Sequence, residues 1–200
     1  IINEPTAAAI AASEGLPELA ASGANGQVVV VYDLGGGTFD ITMIELKADA
    51  ITVIATGGDH NLGGKDWDQA VVSYLAEQWM SQSGSDEDPT EDLETLQDLM
   101  NRAENAKRSL TAREKTDVPV MHAGQRQKIT LTRDKFNELT ANLLERTIEY
   151  TRQMLGEAEK KGHTSFNQIL LVGGSTRMPQ VAQRLQSEFG IAPKTFDPDE

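Results

Sequence analysis

The sequence predicts an α/β fold interrupted by an inserted block of helix and hairpin. Three observations carry this reading. The β-branched run Val28-Val29-Val30-Val31-Tyr32 opens a meander of three short strands. Near the end, Gln168–Val172 is a short apolar strand that leads through Gly173-Gly174-Ser175-Thr176-Arg177 into a helix. Between them lie stretches of helical period and one hairpin. A strand-turn-helix places its turn where α/β folds bind ligands, at the carboxyl end of a strand.

Each element has a local reason. Pro5 suits the first turn of an alanine-rich helix running to about Ser13, with Asn3 as its cap. Residues 14–27, rich in Gly, Ala and Ser, read as a loop. Strands Val28–Tyr32, Phe39–Leu46 and Ala50–Thr56 follow with short turns, an antiparallel meander. Gly57-Gly58-Asp59-His60-Asn61-Leu62-Gly63-Gly64 is a second glycine-rich connection. A helix from about Asp66 to Met80 carries Ala70, Val71, Tyr74, Leu75 and Gln78 at helical spacing. Residues 81–89 form an acidic loop, and a helical stretch covers about Thr90 to Leu110. Thr116–Met121 and Gln127–Leu131 pair as a hairpin around Ala123-Gly124. Thr132 caps a long helix reaching about Lys161, with Phe136, Leu139, Leu143, Leu144 and Ile148 as its apolar stripe. The last helix is Met178–Phe189.

Composition bounds the function. Two hundred residues suffice for one domain, or one domain with a large insertion, and for a substantial core. A net charge of -13 argues against nucleic acid, whose phosphates demand a basic surface. Without cysteine there is no disulfide framework and no thiolate zinc site, which fits a reducing, cytoplasmic setting. No apolar run is long enough to span a bilayer, so no membrane partner is expected. The chain opens on Ile1 in mid-motif, without a signal-peptide pattern, and stops at Asp199-Glu200; it reads as an excised fragment.

The tract Asp33-Leu34-Gly35-Gly36-Gly37-Thr38-Phe39-Asp40 carries the chemistry. Glycines at a tight turn let backbone approach a bulky anion, because no Cβ blocks contact or forbids positive φ. Exposed N–H groups in such a turn form a concave anion site. Asp33 and Asp40 flank the turn, placed to hold a hydrated metal ion that offsets phosphate charge. The plain alternative is a glycine-rich hairpin with two solvated acids. Three glycines exceed what a hairpin needs, which favours phosphate.

Three stretches together resemble the signatures of the DnaK-type seventy-kilodalton heat-shock chaperones. They are Ile1-Ile2-Asn3-Glu4-Pro5-Thr6-Ala7-Ala8-Ala9, the Asp33–Asp40 tract, and Leu171-Val172-Gly173-Gly174-Ser175-Thr176-Arg177-Met178-Pro179. They occur in the family's order and spacing, and the resemblance covers essentially the whole chain. It implies the second lobe of an actin-like, ribonuclease H-like ATPase domain with an inserted α+β subdomain. Residues 1–64 and 132–200 would form the larger subdomain, and residues 65–131 the smaller.

The resemblance also implies roles. Gly35, Gly36, Gly37 and Thr38 would contact the β- and γ-phosphates of ATP or ADP, with Thr38 near the attacking water. Asp33 and Glu4 would hold water around Mg²⁺ or position the nucleophile, and Asp40 would help bind a monovalent cation, K⁺. Such a division suits phosphoryl transfer, which depends on positioning and charge neutralisation. Taken alone, Glu4 is equally an acid at a helix start. Glu104, Lys107, Arg108 and Thr111, at i, i+3, i+4 and i+7 on one helix face, would meet the adenosine, with Gly173, Gly174, Ser175 and Arg177 opposite and Asp199 near the same pocket. Without the resemblance, that face reads as an ordinary salt-bridged surface. His60, His122 and His163 receive no role.

The implied partners are lobe I of the same protein, a nucleotide exchange factor and a J-domain co-chaperone, in a stress-response chaperone. The isolated lobe is expected to fold but not to hydrolyse ATP at a meaningful rate. Lys65 and Trp67 in Gly63-Gly64-Lys65-Asp66-Trp67-Asp68 depart from the family's glycine hinge, which usually carries an acid or amide and Phe there, and the 14–27 loop is longer than usual. These changes suggest a divergent bacterial member. Rival readings are a small-molecule kinase of the same superfamily, for which no acceptor site is visible, and an actin-like filament protein.

Overall fold

The computed structural model describes residues 26–47 and 50–195. Asn3, Glu4, Pro5 and Asp199, the alanine-rich helix and all of the 14–27 loop before Gly26 lie outside the described residues. The chain divides into two compact units: the described residues up to Gly64 with those from Leu144 onward, and Lys65–Leu143. The second division falls inside a helix, whereas the sequence reading put it at residues 131/132.

The first unit is built on a five-stranded sheet in the order β3-β2-β1-β6-β7. Its strands are β1 (Gln27–Leu34), β2 (Phe39–Lys47), β3 (Ala50–Asp59), β6 (Gln168–Val172) and β7 (Lys194–Thr195). β2 runs antiparallel to both β1 and β3, while β6 is parallel to β1 and β7 to β6. This mixed α/β arrangement is compatible with an actin-like ATPase fold. Val29 to Tyr32 and Ile41 to Ile44 are buried without alternation, so the central strands are covered on both faces.

One face packs on the C-terminal half of α3 (Arg133–Lys160). Tyr32 is wholly buried there, its ring 4.8 Å from Phe39, and its hydroxyl donates to Thr147 Oγ1 at 2.6 Å. Thr147 in turn donates to the Leu144 carbonyl at 2.6 Å. On the opposite face Val29, Val31, Ile44 and Leu170 cluster, with Leu46, Ile51 and Val172 against them. The register slips between Met43 and Ile44, which oppose Ala55 and Val53, so Ile54 is an extra residue in β3. This bulge explains why Ile54 and Ala55 are buried in succession. The Ile54 carbonyl accepts from Lys161 Nζ at 2.6 Å. α4 (Pro179–Phe189) is tied to α3 by Arg152 to Glu188 at 2.6 Å and Arg184 to Glu145 at 3.0 Å.

The second unit holds most of α1 (Gly64–Ser83), a short 3₁₀ turn (Pro89–Glu91), α2 (Leu93–Ala112), the hairpin β4 (Lys115–His122) and β5 (Gln125–Thr132), and the start of α3. Where the sequence suggested one helix from Thr90, there are two pieces. Asp88 caps the 3₁₀ turn and Asp92, itself extended, caps α2 by accepting from Thr95 N at 2.8 Å. Thr132 Oγ1 accepts from Lys135 N at 3.1 Å, the expected cap of α3. The buried stripes differ from expectation. In α1 it is Trp67, Val71, Leu75 and Trp79, with Tyr74 and Gln78 only half-buried. In α3, Leu139 and Leu143 are half-buried and Thr140, Thr147 and Thr151 are buried instead. Their hydroxyls donate to carbonyls of their own helix, of Phe136, Leu144 and Thr147, so burial strands no polar group.

Candidate functional site

The sheet topology brings the glycine segments to one edge. β2 is antiparallel to β1 and β3, and β6 is parallel to β1, so β1, β3 and β6 all end on the same side. Each is followed by glycines: Gly35–Gly37 after β1, Gly63–Gly64 after β3, and Gly173–Gly174 after β6. Within β1 and β6, Asp33 pairs with Val172, so those two turns leave from adjacent points.

The Gly35–Gly37 glycines and Thr38 connect β1 to β2, and Gly35 N donates to Thr38 O at 3.0 Å across the turn. None of its glycines has a positive φ, so the conformational half of the sequence argument does not apply here. Close approach is what demands glycine. A Cβ on Gly63 would lie 2.6 Å from the carbonyl carbon of Gly37, backbone against backbone. The Gly35 carbonyl accepts twice, from Gly64 N at 2.9 Å and from Ser175 Oγ at 3.1 Å. Gly173, at φ 90° and ψ 143°, is where positive φ is needed. A Cβ there would overlap the Leu34 carbonyl oxygen and stand 2.8 Å from Asp33 Oδ1.

These contacts sort the glycines by task. Gly63 and Gly173 seat the turns against each other. Around Gly36 and Gly174 an added Cβ meets no atom within 4 Å, and both residues are exposed. Their open backbone is the part of the site free to meet a ligand. Thr38 is exposed beside them, and Ser175 is buried in its bond to Gly35. Thr176 Oγ1 donates to Gly173 O at 2.6 Å, closing a 3₁₀ turn (Gly174–Arg177) that exposes Arg177.

Asp33 and Asp40 are cross-strand partners at the base of the first turn, both half-buried. Among the described residues no cluster of three or more His, Cys, Asp or Glu forms a metal site. Two adjacent carboxylates fit a hydrated cation whose remaining ligands are water and phosphate.

Sequence reasoning passed over Asp59. It ends β3 opposite Phe39, and its carboxylate accepts from Asn61 N at 2.8 Å, Arg146 Nη2 at 2.7 Å and Tyr150 Oη at 2.9 Å. These bonds, that of Asn61 first, hold its pKa below the usual carboxylate range. No local motif announces this role, because Arg146 and Tyr150 lie far away in the chain.

In the other unit, the four helix-face residues make bonds of their own. Arg108 Nη2 donates to Glu104 Oε1 at 2.6 Å, and Thr111 Oγ1 to the Arg108 carbonyl at 2.7 Å. Lys107 Nζ lies 2.8 Å from Asp68 Oδ1, both side chains mostly buried. Burial raises the Asp68 pKa against the opposing pull of Lys107.

The whole chain, residues 1–200, matches the family model described as Hsp70 protein. The chain belongs to the Hsp70 family. Hsp70 proteins are chaperones with a domain that binds ATP or ADP, generally with Mg²⁺, and they work with co-chaperones. No described helix is long and apolar enough to cross a membrane.

Proposed function

We propose that this chain is the ATP/ADP-binding second lobe of a DnaK-type chaperone ATPase whose nucleotide cycle controls peptide binding in the full-length protein. The observation that carries it is the pair of hydrogen bonds accepted by the Gly35 carbonyl, from Gly64 N and Ser175 Oγ, which ties three glycine turns together while leaving Gly36 and Gly174 open. A backbone surface held this way needs no rearrangement to receive phosphate oxygens. In this reading Gly35, Gly36, Gly37 and Thr38 face the β- and γ-phosphates. Gly173, Gly174, Ser175 and Arg177, and Glu104, Lys107, Arg108 and Thr111, contact the nucleoside side, with Asp199 near it.

The donor set fits Mg²⁺. Asp33, with Glu4, holds water around the ion, and Asp40 helps hold K⁺. When bound, Mg²⁺ supplies charge neutralisation on the phosphates. Thr38 and Glu4 orient the attacking water. Arg108 exchanges its bond to Glu104 for stacking on adenine, a small change because that exposed pair is weak.

We further propose two subdomains, with residues 65–131 as the smaller, and a cytoplasmic stress-response setting. The partners are lobe I, an exchange factor and a J-domain co-chaperone. The 200 residues alone are expected to be hydrolytically silent. Residues 28–40 contain no Lys or Arg to offset developing phosphate charge.

Amide mapping by NMR tests the reading. Adding ADP with Mg²⁺ should shift the amides of Gly36, Gly37 and Gly174 most. Shifts confined to other regions would refute the assignment, and single-turnover hydrolysis by the 200-residue chain would refute its silence.

A further inference from the structure

The geometry points to Asp59 as a positioning residue for the phosphate-facing turn: it clamps the 59–64 segment to α3 so that Gly64 can hold the Gly35 carbonyl. This inference rests on the nucleotide reading above and adds to it a residue outside the glycine turns.

Asp59 is the last residue of β3, directly opposite Phe39, the first residue of β2 as the chain leaves the first glycine turn. Its two carboxylate oxygens divide their work. Oδ1 accepts from Asn61 N at 2.8 Å and bends the chain back on itself. Leu62 N donates to the Asp59 carbonyl at 3.3 Å, so the turn is closed from both the side chain and the main chain. Oδ2 is held from α3 by Arg146 Nη2 and Tyr150 Oη. The Tyr150 ring lies 6.5 Å from that of Phe39, so the same helix also meets the exit of the first turn.

Five residues further on, Gly64 N reaches the Gly35 carbonyl at 2.9 Å. The clearance between Gly63 and Gly37 leaves no slack, since even a methyl group would strike backbone. A segment displaced at Asp59 therefore cannot keep both contacts. A charge-assisted anchor is stronger than a neutral one, which suits a carboxylate at this point. The carboxylate is taken up by Asn61, Arg146 and Tyr150, so Asp59 acts on the site through Gly63 and Gly64.

The test compares Asp59→Ala and Asp59→Asn in the full-length protein, with Glu188→Gln as a control that loosens a different ion pair on α3. Two readouts are taken: the Gly35 and Gly64 amide resonances without nucleotide, and the affinity for ADP with Mg²⁺. Asp59→Ala should shift both resonances and weaken ADP about tenfold, a coupling of ordinary size. Asp59→Asn keeps an acceptor for Asn61 N and should recover about half of that loss on a logarithmic scale. Glu188→Gln should change neither readout. Unshifted resonances in Asp59→Ala, or unchanged ADP affinity while wild type binds, would overturn the role of Asp59. Failure of wild type to bind ADP would instead overturn the nucleotide reading, whatever the resonances do. Should Asp59→Ala fail to fold, Asp59→Asn decides by the same readouts.

Discussion

Replacing Gly173 and Gly174 separately by alanine should give opposite results, although the residues are neighbours. Gly173 has φ 90° and ψ 143°, a region that side chains rarely enter and that costs about 1–3 kcal/mol. Its new methyl would also overlap the Leu34 carbonyl and press on Asp33 Oδ1. Leu34 is a ladder residue in a buried strand and cannot yield freely, so overpacking adds about 1–3 kcal/mol. The sum is about 4 kcal/mol, a large part of the 5–15 kcal/mol that holds a typical domain folded. Gly174 has open space around it and no positive φ, so Gly174→Ala should change stability by no more than about 0.5 kcal/mol, or raise it slightly. Urea denaturation followed by circular dichroism reads both. Native-like stability of Gly173→Ala, or equal losses in the two variants, would refute the division between seating and open glycines.

Other consequences follow from the cores. Burial holds the Tyr32 phenol above its ordinary value of 10.0, so the folded state favours the neutral form. Its contribution is fully present below pH 10 and is lost as pH rises beyond it. Tyr32→Phe should therefore cost about 1 kcal/mol at neutral pH and flatten the alkaline limb of the stability curve; an unchanged limb would contradict this. Ala123 sits at φ 46° beside Gly124 at φ 73°, a hairpin turn that asks for Asn-Gly. Ala123→Asn should stabilise by about 0.5–1 kcal/mol, measurable as a raised thermal midpoint.

Strands β1, β2 and β6, the hairpin and the capping of α3 were legible because each rests on local signals: β-branched runs, a glycine at the turn, a threonine before a helix. Strand β7 was not, and Gly57-Gly58-Asp59, read as a glycine-rich connection, continue β3 because they pair with Phe39–Ile41. The buried face of α3 was not, because Thr140, Thr147 and Thr151 look polar until their hydroxyls are seen returning to the helix backbone. The bulge at Ile54 has no signature in composition. At the site, the glycine turns were readable singly. What was not readable is that Ser175 and Gly35, 140 positions apart, meet. That follows from parallel pairing of β1 with β6, a non-local event that no window of sequence records. Asp59 was missed for the same reason. The exposed Glu104–Arg108 pair shows the converse: spacing foretold one helix face, and the plain salt bridge is what these atoms make.

On the reading proposed above, the open backbone of Gly36 and Gly174 receives nucleotide phosphate. Calorimetric titration of the full-length protein and its Gly174→Val variant with ADP and Mg²⁺ tests it most directly, with thermal unfolding run alongside. Tight binding by wild type, lost in the variant at unchanged thermal midpoint, is the result expected. Equal affinity in both proteins would contradict the account.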